Sequence, residues 1–91
     1  MSDRVSGQTV AMNVSATALI KSGAGRVVMA SRLADGIGAT FHDCATTGEA
    51  AIGNQIAFFS SLNGLATMLI DMPFYAGLVI VPTGAFSVTY L

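Results

Sequence analysis

Phe86-Ser87-Val88-Thr89-Tyr90 alternates bulky and small polar side chains, whereas Leu78-Val79-Ile80-Val81, just before it, is apolar throughout. Successive side chains of a strand point to opposite faces, so the first stretch predicts a strand with one wet face. The second predicts a strand covered on both. Between them lies Pro82-Thr-Gly84, a turn signal. Two strands this short, joined by so tight a turn, belong to an all-β domain.

Working outward, the same grammar recurs every 8–12 residues, the spacing of a sandwich or barrel. We expect further strands at Val10–Val14, Thr17–Ile20, Arg26–Ala34, Gly38–Asp43, Gln55–Phe59 and Ala66–Asp71. Ser22-Gly-Ala-Gly25, Ala34-Asp-Gly36, Thr46-Thr-Gly48 and Ser61-Leu-Asn-Gly64 separate them, each with a glycine able to take positive φ. Thr67-Met68-Leu69-Ile70-Asp71 reads as buried on both faces. Around Glu49–Phe58 a helix competes, because Ile52, Gln55, Ile56 and Phe59 have helical spacing, but Gly53 and Asn54 weaken it and a strand is preferred. The expectation is a single compact β-sandwich with jelly-roll-like connections over residues 9–91, preceded by an extended N-terminal arm at residues 1–8.

Composition narrows the function. Charged residues make up 10% of the 91, against about 25% in ordinary soluble domains, and apolar residues make up 53%. A free domain carries roughly 25–35% charge on its surface. Either Ser, Thr, Asn and Gly cover this one, or much of it faces another protein. Residues 1–32 hold four bases and one acid (net +3), and residues 33–91 hold four acids and no base (net −4). That split serves contacts between copies, or closes within one chain when the halves pair as strands.

Several classes fall away. The longest strongly apolar run, Ala76–Val81, is far below the roughly 20 residues of a spanning helix, and the strands are too short for a membrane barrel. Residues 1–8 lack the hydrophobic core of a secretory signal. Four bases and no tryptophan give neither a phosphate-tracking stripe nor a stacking platform, so no direct nucleic-acid partner is expected. One cysteine and one histidine form neither an internal disulfide nor a Cys/His zinc cage.

His42-Asp43-Cys44 is the one cluster that invites a catalytic reading. On a strand His42 and Cys44 share a face, yet a cysteine nucleophile also needs an oriented base and an oxyanion donor, and the pattern supplies neither. A strand end with a buried thiol and a turn-capping Asp43 is the simpler reading. Ser22-Gly-Ala-Gly25 lacks the lysine and following helix of a phosphate loop and reads as a hairpin turn. Asp35, Asp43, Glu49 and Asp71 lack calcium-loop spacing. No catalytic, metal or cofactor-binding residue is assigned, and the chain is read as non-enzymatic. Phe58-Phe59 and Phe74-Tyr75 are informative differently: neighbours on a strand cannot both face one core, so one of each pair should emerge, either at a subunit interface or folded back by a turn.

Three stretches taken together carry a resemblance. Thr17-Ala-Leu-Ile-Lys-Ser-Gly-Ala-Gly-Arg-Val-Val28, Phe41-His-Asp-Cys-Ala45 and Met72-Pro-Phe-Tyr-Ala-Gly-Leu-Val-Ile-Val-Pro-Thr-Gly-Ala-Phe-Ser-Val-Thr-Tyr90 resemble, in order and turn chemistry, small β-sandwich virion proteins of tailed bacteriophages. The likeness extends from about residue 9 to residue 91. It implies a virion structural protein, favoured as a trimer, that decorates or cements the exterior of a capsid by binding the major capsid protein. A head fibre or spike, or a neck or tail component, is the alternative within that class. A small ligand- or carbohydrate-binding β-sandwich is the alternative outside it. The paucity of charge departs from an exposed spike and favours an element embedded in a lattice.

Overall fold

The computed structural model describes residues 9–60 and 66–91. The strands are β1 (Thr9–Val14), β2 (Ala18–Ser22), β3 (Gly25–Arg32), β4 (Ala39–Asp43), β5 (Gln55–Phe59), β6 (Ala66–Phe74), β7 (Gly77–Pro82) and β8 (Phe86–Tyr90). They form two antiparallel four-stranded sheets, ordered β1-β8-β3-β6 and β2-β7-β4-β5. Two such sheets packed together make a β-sandwich, and this strand order is that of a jelly roll. The expected arm, residues 1–8, and the expected turn at Ser61–Gly64 lie outside the described residues.

Six of the seven connections cross from one sheet to the other; only β4 and β5 are consecutive partners. Ser22-Gly-Ala-Gly25 is therefore not the hairpin turn expected: β2 pairs with β7 and β3 with β6 and β8. Gly23 takes φ +82° there, and Gly36 takes φ +73° after β3, both in the left-handed region that favours glycine. Gly77 answers a different need. A Cβ on it would lie 2.6 Å from the Cys44 carbonyl oxygen and 3.0 Å from that of Lys21, so a side chain would push the neighbouring backbone aside.

The register explains the core. Residues directly opposite on paired strands share a face. In one sheet Ala11, Val88, Ala30 and Met68 form an inward row, and in the other Ala18, Ile80, Phe41 and Ala57 do so. Phe41, Phe74, Phe86, Leu78 and Ile80 fill the space between. Phe86 meets Phe59 edge to face across the two sheets, ring centroids 5.0 Å apart. Arg32, itself buried, lies with its guanidinium 5.3 Å from the centre of the Phe59 ring and donates to the Ser60 and Ile37 carbonyls at 2.7 and 3.2 Å. It closes that end of the core.

The doubly covered reading of Leu78–Val81 holds for Leu78, Val79 and Ile80, all fully buried. The same reading of Thr67–Asp71 fails. β6 is an edge strand with one open face, and Leu69 is 71% exposed. The apolar run misled because the outer face it supplies is apolar without being covered. β6 also runs three residues further than expected, through a bulge where Asp71 takes φ +51° and Arg26 donates to both its carbonyl and its carboxylate. Bulges of this kind bend an edge strand and spoil it as a template for further pairing. The segment around Glu49–Phe58 resolves into two single-turn 3-10 helices, Thr47–Glu49 and Ile52–Asn54, followed by β5.

The face assignment has a direct check by chemical denaturation. Phe86→Ala should cost about 3–5 kcal/mol and Leu69→Ser less than about 0.5 kcal/mol. Equal losses would show that the faces of the first sheet are wrongly assigned.

Candidate functional site

The outward rows of the second sheet carry the chemistry-bearing residues. Leu19, Val79, His42 and Gln55 form one row, and Val81, Thr40 and Phe58 the next. His42 is buried although it faces outward, because the β4–β5 connection folds over it. Its Nδ1 lies 2.9 Å from the Ala51 carbonyl oxygen and 3.0 Å from Asn54 Oδ1, and its Nε2 lies 2.8 Å from Thr40 Oγ1. Asn54 Nδ2 donates to the Glu49 carbonyl, which turns Oδ1 toward the ring. Two acceptors at Nδ1 require the proton there, so Nε2 accepts from the Thr40 hydroxyl. Glu49 Oε1 accepts from the Ala45 and Thr46 amides, and Asn54 Oδ1 from the Ala51 amide. The imidazole is the post to which residues 45–54 are tied.

Cys44 sits apart from that network. Its buried thiol donates to the Thr46 carbonyl at 3.4 Å, and it makes no hydrogen bond with His42. Burial pushes the thiol pKa up, and the Glu49 and Asp43 carboxylates push it further. A nucleophilic cysteine needs the opposite, a thiolate stabilised by positive surroundings. Asp43 caps a turn, as its sequence position implied, but the turn is a distant one. Its Oδ1 accepts from the Tyr75 and Ala76 amides at 2.9 and 2.8 Å, fixing the β6–β7 crossing.

Carboxylates do not gather elsewhere either. Among the described residues no group of three His, Cys, Asp or Glu side chains could hold a metal ion, and no helix is long and apolar enough to cross a membrane. Of the described charged side chains, Lys21, Arg26, Arg32, Asp43, Glu49 and Asp71 all bond within the chain, and Asp35 is not free. Across the charge split between the two parts of the sequence, Arg26 meets Asp71 at 3.0 Å, while Lys21, Arg32, Asp43 and Glu49 bond to backbone groups.

Beside the His42 row lies an open cleft of about 520 Å³. Gly36, Gly38, Thr40, Phe58, Val81 and Thr83 are among the residues that line it. Its hydroxyl protons are already committed: Thr40 donates to His42, and Thr83 donates to the Gly38 carbonyl while accepting from the Gly38 amide. The cleft therefore offers apolar surface to an occupant and little hydrogen bonding from its side chains.

One member of each aromatic pair emerges, Phe58 by strand alternation in β5 and Tyr75 in the crossing just beyond β6. Phe59 and Phe74 are buried, while Phe58 and Tyr75 are 59% and 74% exposed. Sequence reasoning did not find Thr40, Asn54 and Ile52 as members of the site. Asn54 carried the only signal, as the residue that weakened a helix.

Fold and site together define a jelly-roll β-sandwich whose polar groups brace its own backbone. No family model, curated protein or solved structure matches the chain.

The tether can be tested through the thiol. In the native protein Cys44 should resist iodoacetamide until residues 45–54 lift. His42→Ala leaves the groups it ties without a partner, a loss of about 1–3 kcal/mol, so labelling should accelerate roughly 5- to 150-fold with the two sheets intact by circular dichroism. Unchanged labelling would show that the imidazole does not hold the segment.

Proposed function

We propose that this chain is a non-enzymatic structural component of a tailed-bacteriophage virion, a decoration or cement protein that lies on the capsid exterior and stabilises the major capsid lattice. One observation carries the reading: among the described residues the central rows on the outer face of the β1-β8-β3-β6 sheet are uncharged, and the charges beside them, Arg26 and Asp71 at the β6 bulge, pair with each other. Those rows are Val10, Thr89, Met29 and Leu69, then Ser87, Ser31 and Thr67. Ser31 and Thr67 hydrogen-bond each other at 2.8 Å, and Leu69 stands beside them 71% exposed. A face that must remain in water is normally dressed with charge. Rows of Val, Met, Leu, Ser and Thr lose little on being dried against another protein, since those rows hold no ion to be stripped of water.

The mechanism that follows is mechanical. Each contact is modest, and repetition across a lattice converts modest contacts into firm attachment. Binding that requires the assembled lattice stabilises the shell by mass action. The sequence resemblance points to the same class of particle. The chemistry of the second sheet supports a non-catalytic role, because its imidazole and thiol are used in holding a loop.

The test is co-sedimentation of the purified protein with empty heads assembled without it. The native chain should pellet with heads and raise their melting temperature. Leu69→Glu, at an exposed position, should keep its fold and lose head binding by at least about tenfold, since a charge would then have to be dried. A folded protein that stays in the supernatant with heads present would sink the proposal.

A further inference from the structure

We infer that the outer face of the β2-β7-β4-β5 sheet docks against the same face of a second copy, each copy placing Ile52 into the Phe58 cleft of the other. The inference does not rest on a virion role; it concerns the face opposite the one assigned to the capsid.

The knob comes first. Ile52 is 90% exposed, the most exposed large apolar side chain among the described residues. An apolar group so placed usually belongs to a mobile loop. This one lies between Ala51 and Asn54, the two residues that His42 binds, and a 3-10 turn spans Ile52–Asn54. Its backbone is therefore held before any partner arrives, and little ordering remains to be done on contact.

The hole lies alongside. Thr40, Phe58 and Val81 form the row next to the one containing His42, two residues along β4 and β7 and three along β5, where the register shifts, and so about 7 Å away. The cleft they help line is apolar, with its hydroxyl protons committed internally. An apolar side chain suits it better than a sugar or another ligand that must be hydrogen-bonded.

Knob and hole on one face make a self-complementary patch. Rotating a second copy by 180° about an axis that lies in the interface, parallel to the sheet and midway between knob and cleft, brings each Ile52 to the other's cleft, the arrangement of an isologous pair. Size agrees. The molecule measures 35 × 32 × 19 Å, so its broad faces exceed the roughly 800 Å² per partner of a stable interface and its narrow sides do not. A two-fold pair differs from the trimer that the resemblance implies.

Sedimentation velocity on the purified full chain tests this. The native protein should form a concentration-dependent dimer. Ile52→Asp and Phe58→Lys should each be monomeric with dissociation at least about 100-fold weaker, because each removes both knob-in-hole contacts of the pair. Mixed one to one, the two variants should recover a heterodimer. One native contact survives in it, and the Ile52→Asp carboxylate meets the Phe58→Lys ammonium at the other. Ile52→Asp changes a side chain already in water and should leave the melting temperature unchanged, so it decides the matter even if Phe58→Lys unfolds. A native monomer at every concentration, a trimer, or an oligomer that survives Ile52→Asp would overturn the inference. So would equal binding of an apolar dye in the cleft by the native protein and by Ile52→Asp, since a covered cleft cannot admit it.

Discussion

The contact between Phe59 and Phe86 joins strands from different sheets, and much of the fold's end structure hangs on it. Phe86 begins β8, a central strand of its sheet, while Phe59 ends β5, an edge strand of the other. Their edge-to-face packing sets how closely the sheets approach at this end. The exposed side of the Phe59 ring would be wet if nothing covered it, and Arg32 covers it. The guanidinium then reaches the carbonyls of Ser60 and Ile37, which would otherwise end in a dry crevice. One aromatic pair and one buried cation thus fix the ends of β3 and β5 and the end of the β3–β4 connection. The cleft beside Phe58 is a consequence of where they leave the chain.

Scarcity of charge shapes the remainder. A chain with nine charged residues has few to distribute, and the described ones brace backbone: Asp43 the β6–β7 crossing, Glu49 the first 3-10 turn, Arg26 the β6 bulge. Exposed pairs such as Arg26–Asp71 contribute only about 0–1 kcal/mol each, so their value is in fixing geometry. The central rows of the broad faces are left to neutral side chains.

Local pattern made the elements legible. Phe86–Tyr90 was bounded correctly because turn residues flank a clear alternation, Gln55–Phe59 because Gly53 and Asn54 weaken the helix that competes there, and the in-out split of Phe58-Phe59 followed from strand geometry alone. β6 was misjudged because an apolar run reports what a strand is made of and says nothing of what lies over it. The Ser22–Gly25 turn was misjudged for a related reason: whether a tight turn joins partners or crosses between sheets depends on distant strands. The site suffered most. Two of histidine's partners, Ala51 and Asn54, come from a segment that looked like a failed helix, and the cleft is assembled from the β3–β4 and β7–β8 connections and strands far apart in sequence.

β8 lies between β1 and β3, and β7 between β2 and β4, so each sheet is completed by strands from the far end of the chain. During synthesis, then, the first four strands emerge from the ribosome with gaps where their neighbours belong. Before β7 and β8 appear only β4–β5 and β3–β6 can pair. β1 and β2 must wait for the last residues before either sheet can close, a topology in which loop closure precedes reward and folding is slow. Protection during that interval, by a chaperone or by prompt release, becomes part of what this sequence requires of the cell that makes it.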